Sequence, residues 1–538
     1  MEWWRTAVFY EIYVRSFQDS NGDGVGDLPG IIQRLDYLND GTPESLGVDA
    51  LWLTPINPSP MFDFGYDVAD YRNVDAVFGS LADVDELITA AHRRNIRIVL
   101  DLVPNHTSHL HPWFTASRRS RANPYRDWYI WRDGVAGGPP NNWVSSFGGP
   151  AWTLDPTTGQ YYLHSFLAEQ PDLNYRNPAV VDAMHDVLRF WLDRGVDGFR
   201  VDVIHKMIKD SRLRDNPLPA AEDEHPVRDY GGQVHLYDED QPEVHDIIRS
   251  WRRILEARGE RTMVGEVYLL DPQRVVTYYG NGSDELPLAF NFSFLWCPWD
   301  AAAFRAEVDR IEALLPPQAQ PTYVLSSHDA PRYWTRFADG TWDAARARVA
   351  AMMLLTLRGT PFLYYGEEIG MRDVVIPAER VCDPVGKRFP ALNRDPERTP
   401  MQWSAEHGAG FTTAADAWLP LAPDYKTVNV VQQARDPGSH LRFYRRLIWY
   451  RKQALALTRG TYRAVDSPAD TFVFVRAHGA ERLLVALNFA AEPRRLTLED
   501  CGAGRVALST DGDRPLREVD LRNCPLRPCE GVIVQLLA

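Results

Sequence analysis

Cysteine is scarce in this 538-residue chain: there are five, Cys297, Cys382, Cys501, Cys524 and Cys529, with no C-x-x-C pair among them. An odd count at low density excludes a disulfide framework, no zinc-like His spacing accompanies it, and the pattern suits a reducing compartment. Long apolar runs are also missing. No run of about 18 hydrophobic residues occurs, so no membrane span is expected. The opening MEWWRTAVFYEIYVRSF meets charged residues too early for the apolar core of a secretory signal. The expectation is a soluble, cytoplasmic protein without membrane association, as a monomer or homodimer. Basic residues are outnumbered, 58 Lys and Arg against 73 Asp and Glu, for a net charge of −15. A general nucleic-acid binder needs clustered cations to neutralise phosphates, and that class is excluded.

What the chain has is length and aromatic rings: 17 Trp, 23 Tyr and 22 Phe. At roughly 150 residues per domain it holds three to four domains' worth of chain, although one large barrel absorbs two of these. Such a length buries enough surface to fold without staples. Composition alone assigns the rings to a large core before it assigns them to a cleft.

Eight short apolar runs read as strands: 9–17, 50–55, 97–103, 198–203, 262–268, 288–294, 322–329 and 360–366. Helical periodicity at 81–95, 180–195 and 346–359 leads into three of them, with Gly195 read as a C-cap. Strands alternating with helices imply parallel βαβ units, and eight such units predict a (β/α)₈ TIM barrel of the α/β class. An open doubly wound sheet is the runner-up, but no G-x-G-x-x-G follows the first strand. Residues 105–174, rich in Pro, Gly, Trp and Asn, are too long for a plain loop and read as a small inserted domain after strand 3. The barrel parts are then 1–104 and 175–459, with 210–240 a polar, lid-like excursion. From 460 to 538 helices vanish and period-two alternation predicts a C-terminal antiparallel β domain.

Function in such a barrel sits where strands end. The third run ends in Asp101, Asn105 and His106; the fourth carries Arg200 and Asp202; the fifth carries Glu266; the seventh ends in His328 and Asp329. One charge in a barrel strand is a structural ion pair as readily as a site, but several on a common rim favour a site. Three carboxylates with one Arg suit acetal hydrolysis, which needs a carboxylate on one face of a sugar and a carboxylic acid beside the leaving oxygen. Asp202, beside Arg200, is expected to be the anion. Glu266, with apolar sequence neighbours and no adjacent cation, is expected to be the acid. His328 and Asp329 are suited to hydrogen-bond sugar hydroxyls.

DLVPNH (101–106), GFRVDV (198–203), GEVY (265–268) and SSHD (326–329) resemble the four signature regions of the α-amylase family, glycoside hydrolase family 13. QPDLN (170–174), RDPERTPMQW (394–403) and the opening WWRTAVFYEIYVRSFQDSNGDGVGDL resemble its oligo-1,6-glucosidase and α-glucosidase branch, over nearly the whole chain and in the same order. The resemblance implies Asp202 as nucleophile, Glu266 as general acid/base and Asp329 as the third carboxylate, with Arg200 orienting Asp202. It places His106 and His328 on the terminal glucose, Tyr66 beneath its ring and Phe166 at its flank. Asp63 and Arg394 then close the far end, which restricts hydrolysis to terminal units.

Asp19-x-Asn21-x-Asp23-Gly-Val25-x-Asp27 places oxygen donors at alternate positions around Gly24. This is the front of a calcium loop without the distal Glu, or else a polar turn. Close members of the resembled branch carry the same run. That favours a structural calcium, with magnesium the alternative and the Val25 carbonyl among the ligands; no organic cofactor is expected. Trp3 and Trp4 read as packing, whereas Trp128, Trp131 and Trp143 are open between core and cleft wall.

The resemblance leaves the bond open. Val203, following the nucleophile, leans toward α-1,6 bonds; the short segment between Gly370 and Arg394, with Asp383–Pro–Val–Gly386, leans toward short α-1,4 substrates. The reading adopted is a retaining, exo-acting α-glucosidase on maltose-type substrates with transglucosylation to alcohols. An oligo-1,6-glucosidase and a sucrose isomerase or trehalose-forming synthase are the alternatives. A non-catalytic, transporter-associated relative is disfavoured, because the three carboxylates are in place and no membrane helix is expected.

Overall fold

The computed structural model describes residues 2–219, 230–269, 271–498 and 502–537. Strands β1 (Phe9–Ile12), β2 (Ala50–Leu53) and β3 (Arg97–Leu102) come first, followed by the short β4 (Trp131–Arg132), β5 (Trp152–Asp155) and β6 (Gln160–Leu163). Next come β7 (Gly198–Val201), β8 (Thr262–Gly265), β9 (Leu288–Ala289), β10 (Thr322–Val324) and β11 (Thr360–Tyr364). Eight of these form one parallel sheet in the order β10-β11-β1-β2-β3-β7-β8-β9. A parallel bridge from Asn291 to Tyr323 closes it into a barrel.

All eight expected strands are present, and each stops short of the end of its apolar run. The run at 198–203 is strand only to Val201, and that at 322–329 only to Val324. The remainder turns outward into the βα-loops, where the polar residues lie. The strands are buried on both faces, which explains their near-continuous apolar character. Rings fill the interior: Phe9 stacks on Phe362 at 4.3 Å and Phe290 packs edge-on against the same ring at 4.8 Å.

Outside lie the helices. Leu81–His92 starts from a reciprocal capping box between Ser80 and Asp83. The helix Pro178–Asp193 ends with Arg194 as its C-cap. Gly195 is therefore not the cap itself but the residue after it, in the left-handed conformation (φ +105°) that glycine adopts without a Cβ clash.

The inserted segment builds a three-stranded antiparallel sheet, β4-β6-β5. Trp143 (1% exposed) sits in its small cluster with Trp152 and Leu163, and Trp131 (5%) joins the main core, so these two rings are packing, not cleft wall. Trp128 is half-buried and lies 4.8 Å from Trp113. Trp3 meets Trp4 edge-on and stacks on Phe9, consistent with packing. Of the excursion at 210–240, residues 220–229 lie outside the described residues. The rest docks on the inserted segment: Asn141 donates to the Leu213 carbonyl (3.0 Å) and the Trp143 indole to that of Arg214 (2.8 Å).

The chain closes with β12 (Thr461–Val465), β13 (Thr471–His478), β14 (Glu481–Asn488), β15 (Arg494–Leu496), β16 (Ala503–Ser509), β17 (Glu518–Asp520), β18 (Cys524–Leu526) and β19 (Gly531–Leu536). Six form an antiparallel sheet, β12-β13-β14-β19-β16-β17, and β15 pairs with β18. Period two decides its packing. Phe472, Phe474, Leu483 and Val485 join the main core, whereas Val473, Val475, Leu484 and Ala486 face a second cluster with Leu496 and Leu526. Among the described residues, no helix is long and apolar enough to cross a membrane.

Candidate active site

Asp202 directly follows β7, Glu266 directly follows β8, and His328 and Asp329 lie in the loop after β10. The ladder sets their height: the Asp202 amide donates to the Leu102 carbonyl (2.9 Å) and the Glu266 amide to that of Val201 (2.8 Å). Glu266, His328 and Asp329 line one small pocket together with Glu11, Trp52 and Arg200, and Asp202 reaches it through Arg200.

Arg200 organises this end of the barrel. At 2% exposure its guanidinium donates to Asp101 (3.0 Å) and Asp202 (2.7 Å) and lies 2.8 Å from a Glu266 oxygen. Glu266 is therefore not remote from cations, as its sequence neighbours implied. The charge that steadies Asp202 reaches it across the strands β7 and β8. Nor is Asp202 a simple anion. Burial, together with the Glu266 and Asp101 carboxylates, pushes its carboxyl well above the usual range against the pull of Arg200, and Glu266 lies within hydrogen-bonding reach.

Val203 contributes through its backbone. It adopts φ +34° and ψ +45°, a left-handed conformation costing a β-branched residue about 1–3 kcal/mol. The turn aims its N–H at a Glu266 oxygen, 3.0 Å away.

Asp329, with its side chain 37% exposed, takes Arg394 (2.9 Å) and Arg398 (2.7 Å) on one oxygen and His328 (3.0 Å) on the other. Partial desolvation opposes ionisation, but the His328, Arg394 and Arg398 cations hold its carboxyl well below the usual range. Burial works against the His328 charge, yet Asp329 and Glu11 on its two sides raise it to about 9, so it is an imidazolium at neutral pH. Tyr66 lies parallel to His328 (5.5 Å, 11°) and donates to Asp101 at 3.0 Å.

Asp63 and Arg394 pair at 3.0 Å, and burial raises the Asp63 carboxyl to about 6. Burial likewise lowers His106 to about 4, leaving it neutral. Its Nε2 faces the Tyr66 carbonyl (3.0 Å) and its Nδ1 the Asn105 amide (3.2 Å), so both ring nitrogens already have protein partners. Phe166 lies 5.2 Å from the His106 ring.

The expected residues Asp202, Glu266, Asp329, Arg200, His328, Tyr66, His106, Phe166, Asp63 and Arg394 are thus linked by one continuous series of contacts, in which Gln170 joins Asp63 to His106. The loop residues Asp19, Asn21, Asp23, Val25 and Asp27 do not join them. Both Asp19 oxygens accept backbone N–H groups of the loop (2.7–3.0 Å), and Asp27 caps the helix Leu28–Gln33 through Gly30 (2.7 Å). Asn21 and Asp23 face solvent. Among the described residues, no group of three or more His, Cys, Asp or Glu is gathered as a metal site. The donor set is nonetheless all oxygen and held in a preformed turn, which is the chemistry a hard cation takes.

Several partners were not read from the sequence. Glu11 is a charge inside a buried strand, a legible signal, and Asp101, which ends the third run, also meets Arg200, Tyr66 and Trp52. Gln170, which donates to Asp63 (3.1 Å), and Arg398 lie within recognised motifs. Asp383 belongs to the short segment before Arg394, but its contact with Arg394 (2.7 Å), and the 5.2 Å approach of the Arg394 guanidinium to the Phe147 ring, had no sequence signal of their own.

A family model described as the alpha amylase catalytic domain matches residues 11–460. A probable alpha-glucosidase of Rhizobium meliloti is 42% identical over 503 residues, covering 91% of this chain and 90% of the relative. An oligo-1,6-glucosidase of Parageobacillus thermoglucosidasius is 39% identical over 532 residues, covering 93% and 92%. Among solved structures, an α-glucosyl transfer enzyme superposes with a TM-score of 0.92 at 39% identity, covering 100% of both chains.

Proposed function

As the chain belongs to the α-amylase family of glycoside hydrolases, we propose that it is a retaining, exo-acting α-glucosidase that releases terminal glucose from short α-1,4-glucosides such as maltose. The observation carrying this reading is the Asp202–Arg200–Glu266 cluster (2.7 and 2.8 Å) together with Arg394, which joins Asp329 (2.9 Å) to Asp63 (3.0 Å).

Asp202, with Arg200 stabilising its charge, attacks the anomeric carbon while Glu266 passes a proton to the glycosidic oxygen. One bond forms to Asp202 and one breaks to the leaving sugar. Water, deprotonated by Glu266, then attacks the same carbon and releases Asp202. Two displacements retain the anomer. Asp329 and the His328 imidazolium hold sugar hydroxyls, a grip that strengthens as charge develops on the ring. An alcohol in place of that water gives transglucosylation, a reading favoured by the likeness to an α-glucosyl transfer enzyme. The oligo-1,6 reading rests on Val203 and on relatives of that name.

A turnover panel of maltose, isomaltose, nigerose, sucrose, trehalose and starch, with the product anomer determined, tests the proposal. The expected result is α-glucose as first product, maltose ahead of isomaltose in kcat/KM, and little turnover of starch. A higher kcat/KM on isomaltose overturns the α-1,4 assignment, and β-glucose overturns retention.

We also propose that the Asp19–Asp27 loop binds calcium, which would cross-link the loop without contacting the sugar. Calorimetric titration of chelator-treated protein is expected to show one saturable calcium site, and chelation to lower Tm by several degrees through loss of native-state ligation. Identical Tm values with and without calcium would remove the metal. The cysteines at 297, 382, 524 and 529 are free thiols, in keeping with a cytoplasmic location.

A further inference from the structure

The Asp63–Arg394 pair is strapped from outside by a residue that the proposed reaction leaves unused. The helix Pro384–Arg388 follows Asp383, whose carboxylate caps it through the Val385 and Gly386 amides and also holds Arg394. At the other end of the same helix, the exposed Arg388 donates to the Gly148 carbonyl (2.7 Å) and that of Phe147 (3.3 Å) in the inserted segment. Phe147 in turn packs edge-on against Phe166 at 5.3 Å, and the Arg394 guanidinium lies over its other contact face. One short helix thus holds Arg394 with its first residue's cap and Phe147 with its last residue.

The turn receiving Arg388 is shaped for this contact. Gly148 and Gly149 both take left-handed φ, +83° and +80°. A Cβ on Gly148 would come within 2.9 Å of the Phe389 ring, and one on Gly149 within 3.0 Å of the Arg388 guanidinium. Two glycines here permit a close approach that any side chain would push apart. The turn is also tied inward, since Ser145 donates to the Phe166 carbonyl (2.7 Å).

We propose that Arg388 is a specificity-determining positioning residue, strapping the 145–149 turn across the pocket so that Phe147 shields Arg394 and keeps the Asp63–Arg394 end closed to anything beyond a terminal glucose. This rests on the reading of that pocket as a terminal-glucose site. With the strap gone, Phe147 leaves Arg394, water reaches the guanidinium, and its pairing with Asp63 weakens.

The test compares wild type, Arg388→Met and Arg388→Lys on maltose and maltohexaose, with glucose as competitive inhibitor. Arg388→Met is expected to raise the maltose KM and the glucose Ki together by roughly fivefold to tenfold, with the loss in KM and not kcat. The maltohexaose-to-maltose ratio of kcat/KM is expected to rise, with products longer than glucose among the first released. Arg388→Lys, which keeps one donor, should fall between. An unchanged ratio and Ki in an active Arg388→Met protein overturns the strap alone. A wild type inactive on every α-glucoside overturns the proposed function and the strap with it. Gly149→Ala, which strains the turn from the other side, is expected to reproduce the KM and Ki changes, and wild-type values there also count against the strap.

Discussion

Asp202→Ala is expected to lower kcat on maltose by at least about 10⁴-fold, because it removes the group that forms the covalent intermediate. It is not expected to unfold the protein. Arg200 keeps Asp101 at 3.0 Å and Glu266 at 2.8 Å, so no cation is orphaned. An acid whose carboxyl is raised on folding costs stability once the pH exceeds its unfolded value. Asp202 is such a group, so its removal relieves that cost at neutral pH and Tm should hold or rise. Azide supplies the sharper readout. In the vacated space it attacks once from the nucleophile's face while Glu266 still protonates the leaving oxygen, and a single displacement yields β-glucosyl azide. Residual hydrolysis near wild-type level, or α-glucosyl azide, would remove Asp202 from the role.

The barrel was legible because eight buried strands write themselves as short apolar runs, and a charge inside one stands out. Glu266 and Asp202 were found that way. Their surroundings were not, since proximity across strands leaves no trace along the chain. Arg200 lies in β7, two residues before Asp202, yet its guanidinium also meets Asp101 on β3 and Glu266 after β8. An expectation built on sequence neighbours therefore assigned Glu266 no cation. The inserted-segment rings illustrate the same limit: Trp143 fills a small cluster with Trp152 and Leu163, which β5 and β6 bring side by side, whereas Trp131 joins the main core. The contacts of Phe147 and Asp383 with Arg394 were invisible for another reason. A lone aromatic or acid in a loop gains meaning only when Arg394, hundreds of residues away in one case, comes to rest against it.

Glu266→Ala tests the other half of the chemistry, and its expected effect depends on the leaving group. On maltose, where the departing sugar needs a proton, kcat/KM should fall about 10³-fold, within the range for losing a positioned general acid. On a p-nitrophenyl α-glucoside the departing phenolate needs little assistance, so the first step should survive better. Release of the intermediate, which needs a base, then becomes limiting, and KM should drop as glucosyl-enzyme accumulates. Azide needs no base and should restore turnover, now giving α-glucosyl azide because the covalent step at Asp202 has already inverted the carbon once. Glu266→Gln keeps the shape and an acceptor for the Val203 N–H at 3.0 Å, so a comparable loss there assigns the effect to the proton and not to collapse of the strained turn. Equal loss on both leaving groups, without azide rescue, would remove Glu266 as acid/base. Asp202 and Glu266 both lie against the Arg200 guanidinium, at 2.7 and 2.8 Å, so their positions alone do not separate their roles. The opposite anomers of glucosyl azide expected from the two alanine variants do, because each product records whether a bond to Asp202 formed before azide attacked.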